Sequence, residues 1–417
     1  MPIFLTLSII TVLLLAFDFY CYNAIISVFK NWKPSTKSFF KITYWTYTIL
    51  LIIGVFCSVY FKTVLFLSLK SIILVAFFLT FVCKVCMLPF LLIDDLRRLF
   101  IKLTRNKKLE KTVKQTIGGE PISRSSFLVK AGLVSAAVPL SSLSWGIISG
   151  AYDYQVRHVK LILPNLPKAF DGIKMGQISD IHSGSFYNKT AVKGGVEMLL
   201  KEKPDFIFFT GDLVNNLTNE VKDYQDIFSK VKAPLGVYSS LGNHDYGDYY
   251  FGRESSPAKV KNLQDMIKVH QIMGYDLLMN ENRRLKVDGE EIGILGIENW
   301  GTGRFPKYGK MEEAVKNTDD LPVKLLLSHD PSHWRGEVLE KYPQIDAMFS
   351  GHTHGMQFGV RLKEMQWSPV QYIYKEWAGL YQENHQQLYV NVGYGFLGYP
   401  GRVGVLPEIT IFELKRA

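Results

Sequence analysis

Apolar residues fall along this chain in two different rhythms. In the first third they form long unbroken stretches, at about 3–29, 42–61, 71–93 and 127–152. Each is close to the roughly 20 apolar residues that a helix needs to cross a bilayer. The fourth is richer in Ala, Ser and Gly than the others. Asp18 and Lys84 interrupt the first and third stretches. Ionisable residues at that depth pair, snorkel or mark a functional site. From about Val156 the runs shorten to strand length and alternate with charged stretches of helical length, the pattern of an α/β domain. The expected division is three transmembrane helices over 1–95, a basic cytoplasmic linker over 96–125, a fourth transmembrane or signal-anchor-like helix over 126–152, and the α/β domain over 153–417.

Charge refines this picture. The chain of 417 residues carries a net charge of +10, with 47% hydrophobic residues. A basic protein invites a nucleic-acid reading, but the excess is confined to one end. Residues 1–150 hold 17 Lys and Arg against 5 Asp and Glu, whereas residues 151–417 hold 31 against 33. No nucleic-acid partner is expected. Lys30, Lys33, Lys37 and Lys41 follow the first stretch, only Lys62 and Lys70 follow the second, and nine Lys and Arg from Arg97 to Arg124 follow the third. Basic loops remain in the cytoplasm, so the N-terminus and everything after residue 152 are expected outside. The segment SRSSFLVK, 123–130, resembles a twin-arginine export signal, with Ser125 where the second arginine would stand. If the fourth stretch lies on the surface instead, the domain is cytoplasmic. The cysteines at 21, 57, 83 and 86 all lie in apolar stretches, where the Cys83–Cys86 spacing reads as packing rather than redox or zinc chemistry.

The chemistry sits at the ends of the short runs. IKMGQISDIHSG ends on Asp180 and His182, DFIFFTGDLVNN on Gly211 and Asp212, VYSSLGNHDYG on Asn243, His244 and Asp245, VKLLLSHDPSHW on His329, and DAMFSGHTHG on His352 and His354. Each has an ordinary reading: a helix cap, a Gly-Asp turn, a left-handed Asn, a satisfied loop histidine. Ligands in layered α/β domains gather beyond the carboxyl ends of strands. Five successive strand ends carrying carboxylate, amide and imidazole groups therefore point to one shared site.

The series D-x-H, GD, GNHD, H and GHTH resembles the calcineurin-like metallophosphoesterase superfamily over about 156–417. The apolar N-terminal region makes it similar to the bacterial, membrane-associated YkuE-like branch, in which Glu298-Asn299-Trp300 and Pro407-Glu408 are familiar segments. The resemblance implies a four-layer αββα sandwich, an inner-membrane location and two divalent metal ions, Mn, Fe or Zn. It also implies the ligand sets: Asp180, His182, Asp212 and His354 for one ion, and Asp212, Asn243, His329 and His352 for the other, with Asp212 bridging. A metal-bridging hydroxide would attack the phosphoester, and His244 would assist the leaving group, oriented by Asp245. His352 and His354, one residue apart on an extended backbone, would serve different ions, with Gly351 and Gly355 allowing tight turns beside them.

His333 and Arg402 are candidates for substrate phosphate contact, with a structural role equally open. The late aromatic segments, MQWSPVQYIYKEWAGLY and YVNVGYGFLGYPG, line an apolar cleft, rest at a bilayer interface, where Trp and Tyr concentrate, or pack as ordinary core and loop. In the interface case a lipid-linked phosphate becomes a natural substrate. Alternatives are a pyrophosphatase acting on a lipid-linked nucleotide sugar such as UDP-diacylglucosamine, and a non-catalytic metal-binding membrane sensor. Substrate, ester class, metal and oligomeric state have no readable code in the sequence.

Overall fold

A computed structural model describes residues 3–60, 67–104, 124–362 and 365–417. They form two compact units, Met1–Ser144 and Trp145–Ala417.

The first unit contains α1 (Ile3–Val28), α2 (Pro34–Tyr60), α3 (Leu67–Thr104) and most of α4 (Arg124–Ile148). All four are long and apolar enough to cross a membrane. Pro89 and Pro139 lie inside α3 and α4, a position that transmembrane helices tolerate. The α3 helix extends beyond its apolar stretch into the expected linker. Asp94 supports that extension by pairing with Arg97 at 3.0 Å and Arg98 at 2.7 Å, one turn further on. The rest of the expected linker, 105–123, lies outside the described residues. The Asp18 and Lys84 side chains form an ion pair, and Asp18 Oδ1 also accepts from Tyr44 Oη at 3.0 Å and Thr48 Oγ1 at 3.1 Å. One carboxylate thus ties α1, α2 and α3 together.

The sequence places the domain boundary at 152, but the second unit begins at Trp145. The last turn of α4 is bonded to loops of the domain. Arg402 N–H donates to Gly146 O at 3.1 Å, and Tyr187 Oη donates to Ile147 O at 2.9 Å.

Two six-stranded mixed sheets build the second unit. The first has β1 (Gln155–Leu163), β2 (Lys174–Ile178), β3 (Phe206–Thr210), β4 (Val237–Ser240), β5 (Asp276–Leu277) and β14 (Glu408–Arg416), in the order β1-β14-β2-β3-β4-β5. The second has β6 (Glu281–Val287), β7 (Glu290–Gly296), β8 (Lys324–Leu327), β9 (Ala347–Ser350), β12 (Gly379–Glu383) and β13 (Gln386–Val390), in the order β12-β13-β9-β8-β7-β6.

Alternation along the strands explains the layering, since successive side chains leave opposite faces. Phe206 and Phe208 of β3 join Leu325 and Leu327 of β8 in the core between the sheets. Ile207 and Phe209 point the other way, to α5 (Lys189–Lys201) and α6 (Pro257–Met273), where Val192, Val196 and Met266 cover them. Leu326 joins Trp334 and Val338 on the outer face of the second sheet. The strands are apolar on both faces because both faces are covered. The result is the expected αββα sandwich. It leaves the carboxyl ends of the parallel neighbours β2, β3 and β4, and of β8 and β9, free to carry polar side chains.

Candidate metal centre

The five strand ends converge. Asp180, His182 and His354 have ligand atoms within 4.8 Å of one another, and so do Asp212, His329 and His352. In the first group His354 Nε2 lies 3.1 Å from Asp180 Oδ1 and 3.0 Å from His182 Nε2. In the second, His352 Nδ1 lies 2.8 Å from Asn243 Oδ1 and 3.3 Å from His329 Nε2. Asp212 stands between the groups, its Oδ2 3.1 Å from His329 Nε2 and 3.5 Å from His182 Nε2. Asp180, His182, Asp212 and His329 are buried.

The backbone is bent to achieve this. Asp180 (φ 51°), His182 (φ 49°), Asp212 (φ 58°), His352 (φ 72°) and His354 (φ 51°) all adopt left-handed conformations, a cost that residues other than glycine accept mainly at functional sites. The GHTH segment is therefore not the extended stretch expected from sequence. His352 and His354 reach different groups because left-handed residues flank a right-handed Thr353. Thr353 is held by donating from Oγ1 to Trp377 O at 2.7 Å. Gly351 is needed for a close approach, since a Cβ there would lie 2.0 Å from Asp180 Oδ2. Gly355 does turn with positive φ, but its neighbours are Val405 and Trp377 rather than ligand groups.

Outer partners fix which ring nitrogen faces inward. His329 Nδ1 lies 2.7 Å from Thr210 O, so Nδ1–H donates there and Nε2 is left facing Asp212. His352 Nε2 lies 2.8 Å from Tyr374 Oη, leaving Nδ1 toward Asn243. Asn243 Nδ2 donates to Tyr249 Oη at 2.9 Å, which turns Oδ1 inward.

Electrostatics follows from this crowding. Burial alone would raise the Asp212 carboxyl, but charge on His329 and then His244 holds it well below the usual range. Asp180 is likewise lowered against its burial, chiefly by His354. Burial opposes charge on His329, yet Asp212 raises it to about 10. His182 is driven well below its ordinary value by burial. Anionic oxygens and imidazole nitrogens form the donor set that divalent transition-metal ions prefer. The His182 Nδ1 atom is buried without a hydrogen-bond partner, free to take up the proton when Nε2 serves as a ligand. The residues fit a divalent cation in either group.

Residues 173–356 match the family described as calcineurin-like phosphoesterase. Residues 1–151 match a probable calcineurin-like phosphoesterase transmembrane domain. An uncharacterized metallophosphoesterase of Bacillus subtilis, YkuE, is 31% identical over 255 residues, covering 60% of this chain and 82% of that one. The chain belongs to the calcineurin-like phosphoesterase family. A further relative of this metallophosphoesterase, the Danio rerio transmembrane protein with metallophosphoesterase domain, is 26% identical over 309 residues, covering 72% of this chain and 65% of that one. The chain thus spans just under two thirds of the fish protein. A metallophosphoesterase of Campylobacter jejuni is 26% identical over 268 residues, covering 63% of each chain.

One sequence reading changes, and two that were left open are narrowed. Asp245 does not orient the His244 ring. Its carboxylate accepts from the backbone N–H groups of Gly242 (2.9 Å), Asp212 (2.9 Å), Leu213 (2.8 Å) and Val214 (3.3 Å), so it shapes the loop that presents Asp212. The His244 ring is held by Asn215, whose carbonyl lies 2.5 Å from Nδ1, and by stacking on Tyr249 at 4.5 Å. His333 is buried with both nitrogens engaged, by Ser328 Oγ at 2.9 Å and Glu337 Oε2 at 3.1 Å. Arg402 is buried too, and donates to the carbonyls of Val392 at 2.8 Å and Val405 at 3.3 Å while lying 3.2 Å from His354 Nδ1. Both side chains are engaged by protein groups, which supports the structural alternative for each in this metallophosphoesterase. Sequence reasoning missed Tyr374 and Asn215, which act through a hydroxyl and a backbone carbonyl and leave no motif.

Proposed function

We propose that this membrane metallophosphoesterase hydrolyses a phosphoester at a centre of two divalent cations, with Asp212 shared between them. The observation that carries the reading is the position of Asp212 Oδ2, within 3.1 Å of His329 and 3.5 Å of His182 and so in reach of both groups. Asp180, His182, Asp212 and His354 would hold one cation, and Asp212, Asn243, His329 and His352 the other. When bound, such a pair polarises phosphoryl oxygens and lowers the pKa of nearby water.

The chain's own residues do the rest. The acceptor-only Thr210 carbonyl holds the His329 ring with Nδ1–H outward, and the Tyr374 hydroxyl holds the His352 ring with Nδ1 toward the centre. Asp245 holds the Asp212 loop in its left-handed turn. His244 spends Nδ1 on the Asn215 carbonyl, so Nε2 is the atom available to give a proton to the leaving oxygen. The basic residues around the first three apolar helices favour a domain on the extracytoplasmic side.

The test uses the full chain in detergent, loaded with manganese and assayed on an aryl phosphodiester and an aryl phosphomonoester, with bound metal counted. Turnover with about two ions per chain is expected, and the preferred ester names the class. Two bound ions without turnover of either ester would overturn the hydrolase reading in favour of a metal-binding sensor.

A further inference from the structure

Residues 358–362 and 365–373 expose an unusual run of apolar side chains. Leu362 is 65% exposed, Tyr372 76% and Ile373 67%, and Phe358, Met365 and Trp367 are exposed as well. They belong to a small antiparallel hairpin, β10 (Val360–Arg361) with β11 (Gln366–Trp367), and to the turn Pro369–Tyr372 that follows it. Apolar surface left in water costs about 25 cal/mol per Å², and exposed patches of this kind usually mark a contact surface. The root of the hairpin is firmly built. Arg361 forms an ion pair with the buried Glu408, which Arg157 also meets at 3.2 Å.

The backbone identifies what covers this patch. Gly359 N–H donates to Val403 O at 2.9 Å, and Val403 N–H donates to Gln357 O at 2.8 Å. The neighbouring Arg402 N–H donates to Gly146 O at 3.1 Å. Gly146 and Gly150 both lie bare against this segment, where a Cβ at Gly150 would come within 2.0 Å of Arg402 O. Gly146 belongs to the apolar span Ser126–Tyr152. The hairpin root is therefore two hydrogen-bonded steps from the end of a membrane span, roughly 10 Å at the usual spacing between paired backbones. Trp367 and Tyr372 are the residue types that settle at the headgroup level. The same surface borders the metal centre, because Tyr374, one residue beyond Ile373, meets His352 Nε2 at 2.8 Å.

We propose that residues 358–362 and 365–373 rest in the bilayer interface and that the substrate is a phosphoester carried on a lipid. Its headgroup reaches the Asp212 centre without the lipid leaving the membrane. The substrate half rests on the hydrolase reading above, and the membrane-contact half does not.

Two measurements test it. The first uses the unaltered full chain in phosphatidylethanolamine–phosphatidylglycerol vesicles doped with a phospholipid that carries a photoreactive diazirine in its acyl chain. Adducts are expected in the peptide spanning 358–373 as well as in the four spans, and none around 287–290, at the opposite end of the parallel strands from the metal groups. Labelled spans with an unlabelled 358–373 would overturn the contact. The second compares methyl p-nitrophenyl phosphate in solution with phosphatidyl-p-nitrophenol in the same vesicles, two esters with one scissile bond. The vesicle-borne ester is expected to be turned over at least tenfold faster at equal concentration. The double variant Leu362→Asp, Ile373→Asp should lose that preference while keeping turnover of the soluble ester. Equal rates on the two esters would overturn the lipid-borne substrate. No turnover of either, nor of the aryl phosphomonoester, would instead sink the hydrolase reading, and the adduct map would still decide the contact.

Discussion

Both units bury a charged cluster, and the two are built on opposite principles. In the helical unit Asp18 is surrounded by donors: the Lys84 ammonium and the Tyr44 and Thr48 hydroxyls. All three donors meet on Asp18 Oδ1, and the cluster is closed by an opposite charge from within the protein. In the α/β unit the contacts crowd imidazole nitrogens against one another and against carboxylate and amide oxygens. His182 Nε2 faces His354 Nε2 at 3.0 Å, and His352 Nδ1 faces both Asn243 Oδ1 and His329 Nε2. Protons can satisfy some of these pairs, but not all of them together without charging buried imidazoles. A closed cluster fixes helix packing, whereas an open one draws in positive charge from outside. Burial and polarity are alike in the two places; the balance of donors against acceptors separates structure from chemistry.

The largest effect expected from this contrast is at Asp212. Asp212→Ala should remove the carboxylate common to both groups, cut turnover by roughly 10⁴-fold, about 5.5 kcal/mol of barrier, and lower the bound metal measured by plasma mass spectrometry. Retained turnover with two bound ions would mean that the groups do not share Asp212. Next in size is His244→Ala, which should slow turnover by about 10²- to 10³-fold while leaving the metal content unchanged, since the His244 ring is held by Asn215 and Tyr249 outside both groups. Loss of metal in that variant would make His244 a ligand.

The closed cluster should behave in the opposite manner. Asp18→Asn or Lys84→Met should each cost about 1–2 kcal/mol of assembly stability, read as a lower Tm of the full chain in detergent, with soluble-ester turnover kept within about twofold. The paired variant should be less damaging than either single change, because it leaves no unpaired buried charge. A large loss of turnover in the single variants would show that the helical cluster takes part in the chemistry after all.

How much of this contrast could be read from sequence depends on which atoms carry it. Asp180, Asp212, His329 and the GHTH pair stand at the ends of apolar runs, so their convergence follows from strand periodicity. The sandwich layers follow from the same alternation, as in Phe206-Ile207-Phe208-Phe209. The left-handed turns at Asp180, Asp212 and His352 were not legible, because neighbouring hydrogen bonds impose them against the local preference of Asp and His. The role of Asp245 was misjudged because a carboxylate beside a histidine in sequence suggests a dyad, while in space it caps four backbone N–H groups. The end of α4 joined the second unit through Gly146 and Arg402, residues 256 apart in number and linked by backbone atoms alone, which no side-chain pattern records.

A buried imidazole outside the two groups gives a smaller and independent check. His270 lies in α6, away from both groups, with Nδ1 2.9 Å from Ser239 Oγ and its ring against Phe209. Burial lowers it to about 3, from an ordinary value near 6.5. Between those values the unfolded chain binds a proton here that the folded chain refuses. The stabilising effect of the neutral ring is fully present above pH 6.5 and is lost as pH falls toward 3, at about 1.4 kcal/mol per pH unit. His270→Asn keeps a polar partner for Ser239 and removes the titration, so its stability should fall less steeply between pH 6.5 and 4.5 than that of the parent. The comparison is best made on metal-free protein, where release of cations at low pH adds nothing to either slope. Parallel slopes would mean that the acid sensitivity lies in the open cluster, because an imidazole closed on Ser239 would then be no barrier to protonation.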